Sequence, residues 1–390
     1  MSIIQRRQLQ SRPLYLRKPS EDVSSVSSYQ SDLFSPCSTA SSVSDVSNLA
    51  ASDSATNDHA VEELPLRKPP VKLVLGTASI GSDRSPLAKI STPEDVDPIL
   101  DLFRSRGYFE IDTARAYPVG AAGTCERLLG QRSLSQWAEV STKVSSFMPG
   151  CHSAKSIMRS INYSLESLNV ESVDIMYLHA PDRATPFKIT CEVMHNAFLE
   201  GKFQRFGLSN FTVDEVIEVV TICEENGYTR PSVYQGQYNP VCRDAEDRLF
   251  TTLKQHRIAF YAYSPSACGF FGTEVASQKG RWTPTSPLGK KYISDYFHGH
   301  LFAVAEVMKE SAAKYGITGH AAALRWTAWH SELSEECGDA VIIGFSAYDQ
   351  LAQNLNTLEQ GPLPAPLLNT INEVWGMVKL SGEGPQCALV

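Results

Sequence analysis

Four side chains in this sequence have the types and spacing for proton-transfer chemistry: Asp112, Tyr117, Lys143 and His179. Asp112 closes the run Tyr108-Phe-Glu-Ile-Asp112, and Tyr117 follows in the next loop. Lys143 closes Ala138-Glu-Val-Ser-Thr-Lys143, and His179 closes Val173-Asp-Ile-Met-Tyr-Leu-His179. A phenol, an amine, a carboxylate and an imidazole gathered at one rim could deliver a proton. The amine can lower the phenol's pKa, and the carboxylate can hold the amine charged. Each residue also has an ordinary reading. A strand-end Asp can cap a turn, a Lys can be solvated, a loop Tyr half-buried, and a His bonded to backbone. It is their joint placement, at the ends of three successive strand-like runs, that favours a site.

For these residues to meet, their strands must end on one face. From Val71 onward the pattern alternates β with α. The strand-like runs are Lys72–Gly76, Phe109–Asp112, Glu139–Thr142, Asp174–Leu178, Arg205–Leu208, Ser232–Gln235, Ile258–Ala262 and Ala340–Ile343. Most are short and continuously apolar, as expected of a parallel sheet covered on both faces. Helical spacing of apolar residues predicts helices over Pro93–Arg106, Ala154–Leu168, Phe211–Asn226 and Ala245–His256. Eight such units predict an α/β fold of the (β/α)8 TIM-barrel type, with catalysis where the strand C-termini meet. The rival is a doubly wound nucleotide-binding sheet. It calls for G-x-G-x-x-G after the first strand, where this chain has Gly76-Thr-Ala-Ser-Ile-Gly81, and no G-x-x-x-x-G-K-[ST] loop occurs.

The chain has 390 residues and a net charge of -8, which argues against a generally nucleic-acid-binding surface. No run of 18 apolar residues is present to span a membrane. Its 9 cysteines are irregularly spaced, lack a C-x-x-C, and read as reduced thiols of a cytoplasmic protein. Asn162-Tyr-Ser and Asn210-Phe-Thr match the glycosylation pattern and read as chance, without a secretory signal. Residues 1–70 form a Ser-rich stretch with no regular apolar spacing, expected to be disordered. Their basic start, with Arg6, Arg7, Arg12, Arg17 and Lys18, is compatible with a transit peptide but reads better as a solvated tail interrupted by Pro13. The barrel is expected over 71–380 and a short tail over 381–390. The closing Cys387-Ala-Leu-Val390 fits the loose prenylation pattern by chance.

The chain resembles an aldo-keto reductase over roughly Val71 to Val378. Leu75-Gly-Thr77, Ile111-Asp-Thr-Ala-Arg-Ala-Tyr117, Thr142-Lys143, Tyr177-Leu-His-Ala-Pro-Asp182, Gly207-Leu-Ser-Asn210 and Tyr234-Gln-Gly-Gln-Tyr-Asn239 match family motifs in order. Glu200-Gly-Lys-Phe203, Ala323-Leu-Arg-Trp326, His330-Ser-Glu-Leu333 and Gln360-Gly-Pro-Leu363 are similar to the aflatoxin-aldehyde reductase branch. The resemblance implies NADPH-dependent reduction of a small-molecule aldehyde or ketone. Tyr117 is then the general acid, tuned by Lys143 and Asp112, and His179 orients the carbonyl, so Tyr117 and His179 also meet the substrate. It further implies that Ser209, Asn210 and Gln235 hold the nicotinamide carboxamide and that Tyr263 stacks on its ring. The loop from Ser264 to Gly269 would wrap the pyrophosphate, with Ser346, Gln350 and Asn354 at the adenosine end.

A homodimer is implied too, with no metal and neither a nucleic acid nor a membrane as partner. Arg281 is a further candidate phosphate contact. Phe270, Phe271, Trp282, Tyr292, Tyr296 and Phe297, between the last two strands, are candidates for a lid or pocket wall.

Some features depart from the branch. Ser266 and Cys268 stand in the pyrophosphate loop, Cys125 precedes Glu126, and the tail lacks the arginine that can hold a substrate carboxylate. Detoxifying and biosynthetic roles, the latter in secondary metabolism, both remain open. The alternative from another class is a cofactor-binding regulatory subunit, resembling channel-associated β subunits.

Overall fold

Strands β1 (Lys72–Gly76), β2 (Glu110–Asp112), β3 (Glu139–Val144), β4 (Val173–Leu178), β5 (Phe203–Ser209), β6 (Pro231–Gln237), β7 (Ala259–Tyr263) and β8 (Ala340–Ile343) pair in chain order, and β8 pairs back onto β1. They form a closed parallel barrel in a computed structural model that describes residues 67–272, 282–382 and 384–385. The helices are α1 (Pro93–Ser105), α2 (Thr124–Gly130), α3 (Ala154–Leu168), α4 (Phe187–Leu199), α5 (Val213–Asn226), α6 (Leu249–His256), α7 (Pro287–Tyr296), α8 (Gly299–Ala313), α9 (Gly319–Trp329), α10 (Tyr348–Leu358) and α11 (Ala365–Ser381). The disordered reading of residues 1–66, Arg281, Cys387 and the end of the tail lie outside the described residues.

The strands match the expected runs to within a few residues, and the differences have local causes. β2 begins at Glu110, one residue after the exposed Phe109. β3 continues to Val144, so Lys143 lies inside the strand instead of closing it. α5 starts at Val213, after the apolar Phe211, because Thr212 caps it. The Thr212 hydroxyl accepts from Glu215 N–H and Glu215 accepts from Thr212 N–H. The expected helix over Ala245–His256 divides into a short 3-10 turn, Asp244–Glu246, and α6.

Side chains alternate across each strand, which separates two cores. Outward residues such as Leu73, Leu75, Ile111, Val144, Met176, Leu178, Phe206, Leu208, Tyr234 and Phe260 join the layer between barrel and helices. Inward residues Val74, Ile175, Tyr177, Val233, Ala259, Tyr261, Ala340 and Ile342 fill the barrel. Gly207 faces inward beside Tyr177. A Cβ there would stand 2.3 Å from the Tyr177 ring, so glycine is what admits that ring.

The N-terminal end of the barrel is a polar floor. Glu110, Glu139 and Asp174 bring carboxylate oxygens within 4.8 Å of one another. Two of them are already paired, Glu110 with Lys72 at 2.7 Å and Asp174 with Arg205 Nε at 3.0 Å, and Tyr261 donates to Glu110 at 2.9 Å. That floor is partly charge-compensated and lies at the stability end of such a barrel. No helix among the described residues is long and apolar enough to cross a membrane.

Candidate active site

At the opposite end, the inward positions of β2, β3, β4 and β6 bring Asp112, Lys143, Tyr177 and Gln235 together. The register aligns Lys143 with Tyr177 and Tyr177 with Gly207. Lys143 is fully buried, which rules out a solvated lysine. Its Nζ donates to Asp112 Oδ1 at 2.8 Å, Asp112 Oδ2 at 2.6 Å and Thr113 O at 2.8 Å. Three bonds account for all three ammonium protons. Gln235 Nε2 adds a bond to Asp112 Oδ1 at 2.8 Å. Burial pushes the Lys143 pKa down, and the Asp112 carboxylate opposes that shift. A buried ion pair is sustained only when its remaining hydrogen-bonding groups are met, as they are here.

Tyr117 lies in the loop after β2, held by its N–H on Ala114 O at 3.0 Å. The Lys143 ammonium is 4.9 Å from the centroid of its ring. The ring meets His179 edge-on, with centroids 5.6 Å apart. Proximity to the amine led the sequence reading to expect a lowered phenol pKa. Instead, burial raises it well above the ordinary value, and the Asp112 and Tyr292 side chains push it further up. The physical reason is that burial withholds water from the phenolate, and the adjoining Asp112 carboxylate disfavours a second negative charge. Before substrate arrives, the phenol therefore holds its proton firmly.

His179 follows β4. Burial, and then the Lys143 charge, drive its pKa well below the usual value, so the ring is neutral. Nδ1 is buried without a hydrogen-bond partner. The backbone of His179 is gripped on both sides. Its N–H donates to Ser146 Oγ at 3.2 Å, and its carbonyl accepts from Asn210 Nδ2 at 3.0 Å.

The expected cofactor residues divide into two groups. Ser209, Asn210, Gln235 and Tyr263 converge at the rim of β5, β6 and β7. Asn210 takes a left-handed backbone, φ 63°, and its Nδ2 donates to Ser209 Oγ at 3.0 Å. Tyr263 Oη donates to Asn210 Oδ1 at 2.9 Å. Asn210 is also buried, which suits the chance reading of its glycosylation pattern. In the loop after β7, Ser264, Ala267 and Cys268 have φ of 54°, 52° and 58°, and Gly269 has 84°. Three non-glycine residues at positive φ mark a strained turn of the kind held at ligand-binding loops. The second group sits beyond β8. Ser346 is exposed, and both its N–H and its hydroxyl donate to Gln350 Oε1, at 2.6 and 2.9 Å. Asn354, by contrast, is buried. It donates to Gly344 O at 3.1 Å and pairs with His320 Nε2 at 3.0 Å, so it braces the turn between β8 and α10.

Phe270, Trp282 and Tyr296 are buried against one another, and Tyr296 accepts from Gln237 Nε2 and Asn239 Nδ2. Tyr292, on α7, remains half-exposed and close enough to Tyr117 and Tyr263 to raise both phenols' pKa. Sequence reasoning missed Phe147, in the loop after β3. Its ring is 53% exposed and lies 4.8 Å from that of His179, edge-on. The available signal was an apolar Phe-Met pair immediately beyond a strand whose Lys had been singled out. Ser146 and His152 in the same loop were missed too, because a serine and a histidine six positions apart carry no motif.

A model of the aldo/keto reductase family matches residues 72–376. Among curated proteins, the chain is 36% identical over 293 residues to an aldo-keto reductase of Pseudocercospora fijiensis, covering 73% of this chain and 98% of that one. It is 33% identical over 314 residues to oxidoreductase sirO of Leptosphaeria maculans, covering 79% and 94%. To the human aflatoxin B1 aldehyde reductase member 4 it is 36% identical over 286 residues, covering 70% and 86%.

Proposed function

The chain belongs to the aldo/keto reductase family, and on that premise we propose that it catalyses NADPH-dependent reduction of an aldehyde or ketone to an alcohol, with Tyr117 as general acid. The observation that carries this reading is the buried, fully hydrogen-bonded Lys143–Asp112 pair lying against the Tyr117 ring, beside a neutral His179. When bound, a nicotinamide dinucleotide held by Ser209, Asn210, Gln235 and Tyr263 would supply hydride chemistry at the carbonyl carbon. Tyr117 gives its proton to the carbonyl oxygen as negative charge develops there, and the resulting phenolate is stabilised by the Lys143 ammonium below its ring. Asp112 keeps Lys143 charged and oriented. The buried, unpartnered Nδ1 of His179 is best left as a lone pair, which puts the ring proton on Nε2 and makes that nitrogen the donor to the carbonyl. Phe147 and Tyr292, both partly exposed, offer aromatic surface to a substrate at the rim.

The residues present fit a nicotinamide dinucleotide. Ser209, Asn210 and Gln235 offer amide and hydroxyl groups at one rim, Tyr263 offers an aromatic face, and the strained Ser264–Gly269 turn lies between them and β8. Ser346, exposed just before an 11-residue helix, and the half-buried Gln350 within its first turn suit an added phosphate at its N-terminus. The irregularly spaced cysteines, read as reduced thiols, support a cytoplasmic enzyme.

The test is NADPH consumption, followed by absorbance, with a panel of simple aldehydes and ketones. Steady turnover that vanishes in Tyr117→Phe is expected. Tight NADPH binding with no turnover on any carbonyl would overturn the reading and favour a cofactor-binding regulatory subunit.

A further inference from the structure

The ladder between β3 and β4 ends at the pairing of Val144 with Leu178. The next residue after β4 is His179, whose N–H has no strand partner left. Ser146, two residues past the end of β3, supplies one by folding its hydroxyl back over the break. Its Oγ accepts from His179 N–H at 3.2 Å and donates to Val144 O at 3.0 Å. The same oxygen lies 2.8 Å from His152 Nε2. A serine has one proton and two lone pairs. With the proton on Val144 O and one lone pair taken by His179, the remaining lone pair requires His152 to present an Nε2–H. That tautomer leaves His152 Nδ1 as a bare lone pair, which matches its burial without a partner.

Both side chains are enclosed, Ser146 at 6% and His152 at 0% exposure. The loop that carries them is tied to the segment after His179. Gly150 N–H and His152 N–H donate to the two oxygens of Asp182, at 3.2 and 2.9 Å. Phe147, between the two residues, projects against the His179 ring.

We infer that Ser146 and His152 act as a positioning pair that sets the His179 backbone, and through it the imidazole, at the catalytic rim. Neither residue touches the reacting atoms. The pair rests on the functional reading above for its consequence in turnover, but its geometry is independent of that reading.

The test uses the full-length protein and the variants Ser146→Ala, Ser146→Thr and His152→Gln. Threonine keeps the hydroxyl, and the glutamine amide can stand in for the Nε2–H donor. In Ser146→Ala, kcat is expected to fall about 10-fold, the scale of a small misplacement of an orienting group, with NADPH affinity unchanged. Ser146→Thr and His152→Gln should both restore most of the parent kcat. Parent-like kcat in Ser146→Ala overturns the inference. So does a loss that Ser146→Thr does not rescue and that NADPH affinity shares, since that pattern marks general misfolding.

A second readout needs no turnover. Nitrogen-15 NMR should show His152 in the Nε2–H form, and the His179 amide resonance should shift in Ser146→Ala and return in Ser146→Thr. An Nδ1–H His152, or a His179 amide indifferent to Ser146→Ala, overturns the pair. A parent that turns over no carbonyl while these NMR results hold removes the functional reading alone.

Discussion

Lys143 and Asp112 form the pair on which the rest of the proposed catalytic site leans, and removing one member tests that directly. Lys143→Met strands a buried carboxylate, so folding stability should drop by about 3–5 kcal/mol and most turnover should be lost. Adding Asp112→Asn should recover much of the stability, measured by urea denaturation, without recovering kcat. Recovery of both would mean the pair is purely structural. Tyr117→Phe keeps the ring and removes the proton. We expect kcat lower by at least about 10²-fold with NADPH affinity nearly unchanged. Near-parent turnover would remove Tyr117 from its role. His152 gives a pH signature of a different kind. Burial pushes its pKa down to about 4 from an ordinary 6.5. A depressed histidine binds its proton more readily when unfolded, so it destabilises the fold as pH falls through the window from 6.5 to about 4. A 2.5-unit shift corresponds to roughly 3 kcal/mol at the acid end. Denaturation curves between those limits should steepen with acid in the parent and flatten in His152→Gln. Equal slopes would show that His152 is not the titrating group.

At the scale of elements, we propose that cofactor choice belongs to the N-terminus of α10. Its first turn carries Asp349, which repels a phosphate, so the donors have to come from Ser346, Gln350 and the unpaired N–H groups of the helix start. Ser346 already gives both its donors to Gln350 Oε1, and a phosphate would have to take them over. A moderate preference for NADPH over NADH follows, on the order of 1–3 kcal/mol. Dissociation constants for both cofactors, measured for the parent and for Ser346→Ala/Gln350→Ala, check it. A double variant that keeps the whole preference would place the phosphate site elsewhere. The packing of β4 on β5 is as sharply constrained. Gly207 lets Tyr177 stand in the barrel alongside Lys143, and any Cβ there would strike the ring. The same alternation that buries Tyr177 inward buries Leu178 outward, so a one-residue slip of β4 would exchange them and empty the site.

Taken as a whole, the molecule is a barrel whose core begins at Val71, and the first described contact is Arg67 N–H on Glu359 O at 2.9 Å. Deleting residues 1–60 should therefore leave melting temperature and kcat unchanged, and a large fall in either would show that the N-terminal stretch supports the enzyme. The strands could be read from the chain because parallel strands covered on both faces must be continuously apolar. Asp112, Lys143 and His179 could be singled out because chemically able side chains stood at or beside the ends of such strands. Local sequence could not show which partners those side chains would choose. Lys143 was expected to tune Tyr117 through space. Instead its three protons go to Asp112 and Thr113, and burial raises the phenol's pKa, results set by enclosure and by what else lies within hydrogen-bonding reach. Gln235 turns to Asp112, and Asn354 turns inward to Gly344 and His320. Ser146 and His152 reach the His179 backbone, and Phe147 its ring. The sequence by itself determined the alternation of elements, the closed barrel they imply and the chemical inventory of its rim, because periodicity and residue type are local properties. Only the tertiary structure decided the hydrogen-bond partners, the burial and the charge balance of that rim, because these depend on residues tens to hundreds of positions apart meeting in a space with little water.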